Sequence, residues 1–349
     1  MRLHPLLAVT ALALPNALPG QSAPSAVPVV AAGPSSLLAG VPGASRFVTA
    51  NGARLHYLDF GGRGEPVVLL AGLGNTAWIW SEFGPRLAGE GFHVVALTRR
   101  AHGESAAPAS GYTLDALAAD VIAFMDSLGF RQAHLVGHSL AGAELTRIAA
   151  RHPSRVRRLV YVDAAYDRAL QQRYDAAVPP PELGPEMTPA DRRSVDAYLA
   201  YQRRARLDLA RRWSAAVERD FRASLVADSL GRVRWRHPFA RYGEMIADAS
   251  RGAPEYAMVR APALALYATV SQAILPAGAS AEQRAAVARF ERENNARWIA
   301  ESVAQFRSGV RTGRVERIDG VHHLFLDRPE ETLRAIVRFL RDSVPPSRP

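Results

Sequence analysis

The chain contains no cysteine and no lysine. Without cysteine it can form no disulfide and carry no lipid-modified cysteine behind a signal segment. Without lysine, all 43 of its basic residues are arginine, set against 33 acidic ones for a net charge of +10. Such a balance raises nucleic acid or an anionic surface as a partner, but binding of that kind needs a basic patch or stripe. Here the arginines are scattered along helical segments and not gathered beside aromatics, so solvated helix faces account for them and no nucleic-acid partner is expected. Long hydrophobic runs are missing too. The longest near the start, Pro5 to Leu14, is far shorter than the roughly 20 residues a membrane helix requires. There is no G-x-x-x-x-G-K phosphate loop, no clustered His/Asp/Glu ligand spacing and no internal repeat, so neither cofactor nor metal is expected.

What is present is enough material for a large core: 349 residues, 48% of them hydrophobic. The opening "MRLHPLLAVTALALPNALPGQSAPSA" runs from one Arg through a short apolar stretch to Pro, Gly, Ser and Ala, the order of a secretory signal. The expectation is an exported protein, periplasmic or extracellular, with no membrane contact after cleavage. Residues 1–45 read as signal and linker, and the fold begins near Arg46. Asn51-Gly52 between two alternating runs predicts a hairpin. Apolar runs at 66–72, 93–98, 133–138, 158–163 and 263–268 predict strands buried on both faces, as in a parallel sheet. Between them, Leu114, Leu117, Val121, Ile122 and Met125 form one helical stripe stopped by Gly129, and Asp327 with Pro329 opens a last helix. Residues 165–257, rich in Arg, Ala and Leu, read as a helical insertion without a clear strand. The fold class is therefore α/β: a mostly parallel central sheet flanked by helices, with core segments 46–164 and 258–345 around a helical lid.

The stretch "AHLVGHSLAGAELT" places Ser139 where a strand run gives way to a helical pattern. A serine there can simply cap the helix. Gly137 before it, and Ala141 and Gly142 after it, instead suit a sharp strand-to-helix turn that lifts the hydroxyl above the sheet, with the N–H of Leu140 aimed where an oxyanion would form.

On these residues the chain resembles the α/β-hydrolase family across nearly all of 46–343. Its G-x-S-x-G elbow reads "GHSLA" here, with Ala141 at the last position and Gly142 one later. "LLAGLGNTAWIW" is similar to the family's oxyanion loop, with Ala71 in place of His, and the resemblance implies Leu73 N–H as the second oxyanion donor. Trp78 and Trp80 beyond it belong to the core or to an acyl-pocket wall. "LTRRAHGESAAP" is similar to a structural turn of the family, with Thr98 where Asp is common, which argues against a catalytic His102.

A serine nucleophile needs an adjacent histidine base. His4 lies in the signal, His56, His93 and His134 in strand runs, His138 in the elbow, His152 at a helix end and His237 in the insertion. "RIDGVHHLFLDRPEE" alone offers histidine on a loop between the last strand and the last helix, where the resemblance implies the base. His322 is preferred there, leaving His323 to pack under the lid or line the pocket. The acid usually follows the seventh strand, yet "ALALYATVSQAILP" holds no carboxylate. Asp163, after the sixth strand, is the first choice, with Asp167 and then Asp319 still open and a Ser–His dyad as the alternative. The resemblance implies a serine hydrolase acting through an acyl-enzyme on a small-molecule substrate, a carboxylic ester first. A ligand-binding protein without turnover on the same fold is the rival reading. The elbow Ser, in place of Asp, speaks against halide and epoxide opening. Chain length of the acyl group and oligomeric state stay open.

Overall fold

A computed structural model describes residues 40–342 apart from 42, 211, 271 and 272. The signal-like start and nearly all of the linker lie outside the described residues. Ten strands follow in chain order: β1 (Ala44–Ala50), β2 (Ala53–Asp59), β3 (Pro66–Leu70), β4 (His93–Leu97), β5 (Ala133–His138), β6 (Val156–Val162), β7 (Leu225–Ala227), β8 (Val233–Trp235), β9 (Ala263–Ala268) and β10 (Gly313–Ile318). Eight of them form one sheet in the order β1-β2-β4-β3-β5-β6-β9-β10, parallel from β4 onward. β1 and β2 pair antiparallel through the Asn51-Gly52 turn, where both residues take positive φ, 45° and 73°, as a tight hairpin requires.

Alternation along each central strand divides the core. Val67 and Leu69 pack on one face with Phe83, Leu87, Ile336 and Phe339, while Val68 and Leu70 pack on the other with Val121, Phe124, Leu145 and Ile148. Helices Phe83–Gly89 and Pro329–Arg341 cover the first face; Leu114–Ser127, Ala141–Arg151 and Ala296–Gly309 cover the second. Each Val, Leu or Phe buried this way contributes about 1.5–3 kcal/mol. That burial holds the strand ends in fixed register.

The insertion between β6 and β9 carries helices Arg168–Ala177, Val195–Ala205, Ala215–Ser224 and Ala240–Ala249. It also contains the antiparallel ribbon β7–β8, which the sequence pattern did not show. Each arm is three residues long, too short for alternation to be visible. Asp327 departs from expectation as well. Arg328 precedes the last helix, and the Asp327 carboxylate instead accepts from Val321 N–H at 3.1 Å and from Arg212 Nε at 2.9 Å, so it pins the loop that carries His322.

Candidate active site

The parallel register between β5 and β6 pairs His138 with Val162. The residue that follows each strand, Ser139 and Asp163, therefore stands at the same level of the sheet, and both adopt left-handed backbone, φ 55° and 47°. Non-glycine residues enter that region at a cost of about 1–3 kcal/mol and persist only where their surroundings impose it. The packing around the elbow is close. A Cβ on Gly137 would lie 2.3 Å from Leu145 Cδ1, and one on Gly142 would lie 1.9 Å from the Ala164 carbonyl oxygen.

Asp163 accepts three hydrogen bonds. His322 Nδ1 donates to Oδ2 at 2.6 Å, while Oδ1 takes Ala268 N–H at 3.0 Å and the Tyr166 hydroxyl. The last residue of β9, just before a stretch empty of carboxylates, thus supplies a backbone donor to the carboxylate after β6. Burial, reinforced by the neighbouring Asp163, pushes the Tyr166 hydroxyl well above its usual range, so it stays a donor. Asp167 and Asp319 do not reach His322. Asp167 caps helix Arg168–Ala177 through Leu170 N–H at 2.9 Å, and Asp319 is exposed beside Thr269.

With Nδ1 committed to Asp163, the His322 Nε2 is buried with no hydrogen-bond partner among the described residues. The His138 ring lies 4.4 Å from that of His322 and 4.6 Å from that of His323. His138 Nε2 donates to the His322 carbonyl at 3.2 Å. Burial drives both His138 and His323 well below the ordinary imidazole range, so they remain neutral beside His322.

The loop after β3 runs against the serine: a Cβ on Gly72 would lie 3.1 Å from Ser139 Cβ and 2.9 Å from His138 Nδ1. The backbone N–H groups of Leu73 and Leu140 donate to no acceptor among the described residues. His102 belongs to this loop's scaffold. Its Nε2 accepts Gly74 N–H at 3.0 Å and its Nδ1 donates to the Arg100 carbonyl at 2.9 Å, which fixes one neutral tautomer. Trp78 and Trp80 are fully buried; Trp80 stacks on Phe325 at 3.9 Å and Trp78 on His56 at 5.7 Å.

Two contacts from the insertion were not visible in the sequence. Asp220, on helix Ala215–Ser224, accepts from Thr76 N–H at 2.6 Å, Thr76 Oγ1 at 2.7 Å and Asn75 Nδ2 at 2.7 Å. Asp208 is held by Arg206 at 2.8 Å and brings Oδ2 to 3.6 Å from His323 Nδ1. Burial would raise the Asp208 carboxyl, but the Arg206 guanidinium outweighs it and holds it below the usual range. Among the described residues no group of three or more His, Asp or Glu is arranged to hold a metal ion.

A family profile described as the alpha/beta hydrolase fold matches residues 65–276, well over half of the chain. The chain belongs to the α/β-hydrolase family. As a member it is 37% identical over 133 residues to the N-formylmaleamate deformylase of Pseudomonas putida, covering 38% of this chain and 49% of that protein. It is 39% identical over 118 residues to a non-heme chloroperoxidase of Streptomyces lividans, covering 33% of this chain and 43% of that one. This α/β hydrolase thus spans less than half the length of either relative. Among solved structures, an E-2-(acetamidomethylene)succinate hydrolase superposes with a TM-score of 0.62 over 86% of this chain and 100% of that one, at 22% identity, which speaks for the fold alone.

Proposed function

We propose that this α/β hydrolase is a serine hydrolase that cleaves a small or medium carboxylic ester through an acyl-enzyme. The observation that carries the reading is the 2.6 Å bond from His322 Nδ1 to Asp163 with Nε2 left unpartnered, the His322 ring lying 4.4 Å from that of His138, the residue before the strained Ser139. In this reading Ser139 Oγ attacks the acyl carbonyl as its proton passes to His322 Nε2, and Asp163 stabilises the imidazolium. The oxyanion is held by the N–H groups of Leu73 and Leu140. His322 then returns the proton to the departing alcohol, activates a water against the acyl-serine, and the carboxylic acid leaves. The insertion, joined to the site's loops through Asp220 and Asp208, acts as the lid that selects the substrate. The signal-like start supports export to the periplasm or beyond.

Cleavage of an acyl amide is the second reading, supported by the deformylase among the relatives. Treating the folded protein with a fluorophosphonate and mapping the adduct by mass spectrometry tests the shared mechanism. An adduct on Ser139 that disappears in Ser139→Ala is expected, after which matched p-nitrophenyl esters and anilides separate the two readings. A folded protein that takes no adduct would be a ligand-binding member of the family.

A further inference from the structure

We propose that Arg99 is a positioning residue that orients the Leu73 N–H toward the oxyanion and sets it against the Leu140 N–H. The inference rests on the serine-hydrolase reading above, and extends it to a side chain that touches neither nucleophile nor base.

Arg99 leaves the end of β4 with only 6% of its side chain exposed. Its Nη2 donates to the Ala71 carbonyl at 2.7 Å and its Nη1 to the Gly72 carbonyl at 3.3 Å. The Gly72 carbonyl and the Leu73 N–H belong to one peptide unit, which is planar and trans, since the described chain has no cis peptide bond. Holding the oxygen of that unit therefore aims its N–H the opposite way, on a loop that runs against Ser139. Asn75 N–H adds a second bond to the same oxygen at 3.2 Å, closing the turn.

The other edge of the guanidinium meets Glu144, with Nε 2.6 Å and Nη2 2.5 Å from Oε1. Glu144 lies in the first turn of helix Ala141–Arg151, whose start is the Leu140 N–H. That second donor is aimed in the same manner: the Ser139 carbonyl, which shares its peptide unit, accepts Gly142 N–H at 3.0 Å. Arg99 thus spans from the loop that carries one donor to the helix that carries the other. Both partners are almost fully buried, so Glu144 offsets the charge of Arg99 and the effect is exerted through fork geometry. A lysine keeps the charge but cannot engage two carbonyls and a carboxylate at fixed angles.

The test compares Arg99→Lys with the double variant Arg99→Met/Glu144→Met, which leaves no uncompensated buried charge and so preserves folding. Wild type and variants are checked for a cooperative melt. Each is then assayed for ester kcat and KM, for the rate of fluorophosphonate labelling, and for inhibition by a trifluoromethyl ketone and by the product acid. Full loss of one oxyanion donor costs about 10²–10³ in kcat, and misdirecting it should cost about 10–100-fold. Expected in both variants is a kcat lowered by that factor at unchanged KM. Labelling rate and ketone affinity should fall by the same factor, with product inhibition unmoved. A kcat within twofold of wild type in either folded variant, or a loss confined to KM, overturns the inference while Ser139 labelling in wild type leaves the serine-hydrolase reading intact. Absence of labelling in folded wild type overturns both.

Discussion

The strand ends of the sheet and the insertion build on the same loops by different means. At the ends of β5 and β6 the backbone itself does the placing: paired register sets Ser139 and Asp163 at one level, both in positive φ, while Leu145 and Ala164 leave no room for a side chain at Gly137 and Gly142. In the insertion the backbone is remote and carboxylates reach across. Asp220 grips Asn75 and Thr76, and Asp208 approaches His323. The first kind of placement runs through the backbone, while the second runs through buried titratable side chains. The comparison teaches that chemistry can be fixed on the sheet while the insertion adjusts the loops that flank it.

Replacing Asp163 with Asn tests the strand-end half and should have the largest effect. An acid that orients the base is worth roughly 10⁴ in kcat, so Asp163→Asn should lower ester turnover by about that factor with the melting transition preserved. A loss below tenfold in a folded variant would make the strand ends scaffold and remove the distinction.

Asp220 tests the other half through pH. Burial, opposed by the bonds from Thr76 and Asn75, pushes its carboxyl up to about 6 from an unfolded value of 3.8. Between these values the folded protein holds a proton that the unfolded chain has released, so stability falls as pH rises through the window and levels off above it. The shift corresponds to on the order of 3 kcal/mol. Denaturant titrations at pH 4, 5, 6 and 7 should show that slope in wild type and a flatter profile in Asp220→Asn. Identical profiles would show that this contact does not titrate in that window.

The smallest effect is expected where the two regions join. Asp167 closes the β6 loop and caps the insertion's first helix, so Asp167→Ala should cost about 1 kcal/mol in stability and leave kcat within about twofold. A large fall in turnover would mean that it shares the role given to Asp163.

How much was legible follows the same division. Asn51-Gly52 announced the hairpin because its turn demands two positive φ values, and "GHSLAG" announced the elbow because small residues are required where helix and strand collide. Asp163 was readable from its position at a strand end. Tyr166, which completes its hydrogen bonds, carried no local signal, since a tyrosine in a loop more often packs than donates. Asp220 was invisible for a physical reason: its partners at 75 and 76 are distant in sequence and meet it only after the insertion has folded back. Asp327 looked like a cap because Pro329 follows it, yet the last helix takes Arg328 there and leaves the carboxylate free to hold the histidine loop. The ribbon β7–β8 was too short to leave a period.

The order of the three proposed catalytic residues along the chain also bears on when reactivity appears during synthesis. Ser139 and Asp163 lie within one strand–helix–strand unit, whereas His322 follows the insertion and β10. A nascent chain in which only the elements through β6 are in place has the serine and the acid but not the base. In the serine-hydrolase reading, hydrolysis therefore waits until β10 and the loop that carries His322 are in place.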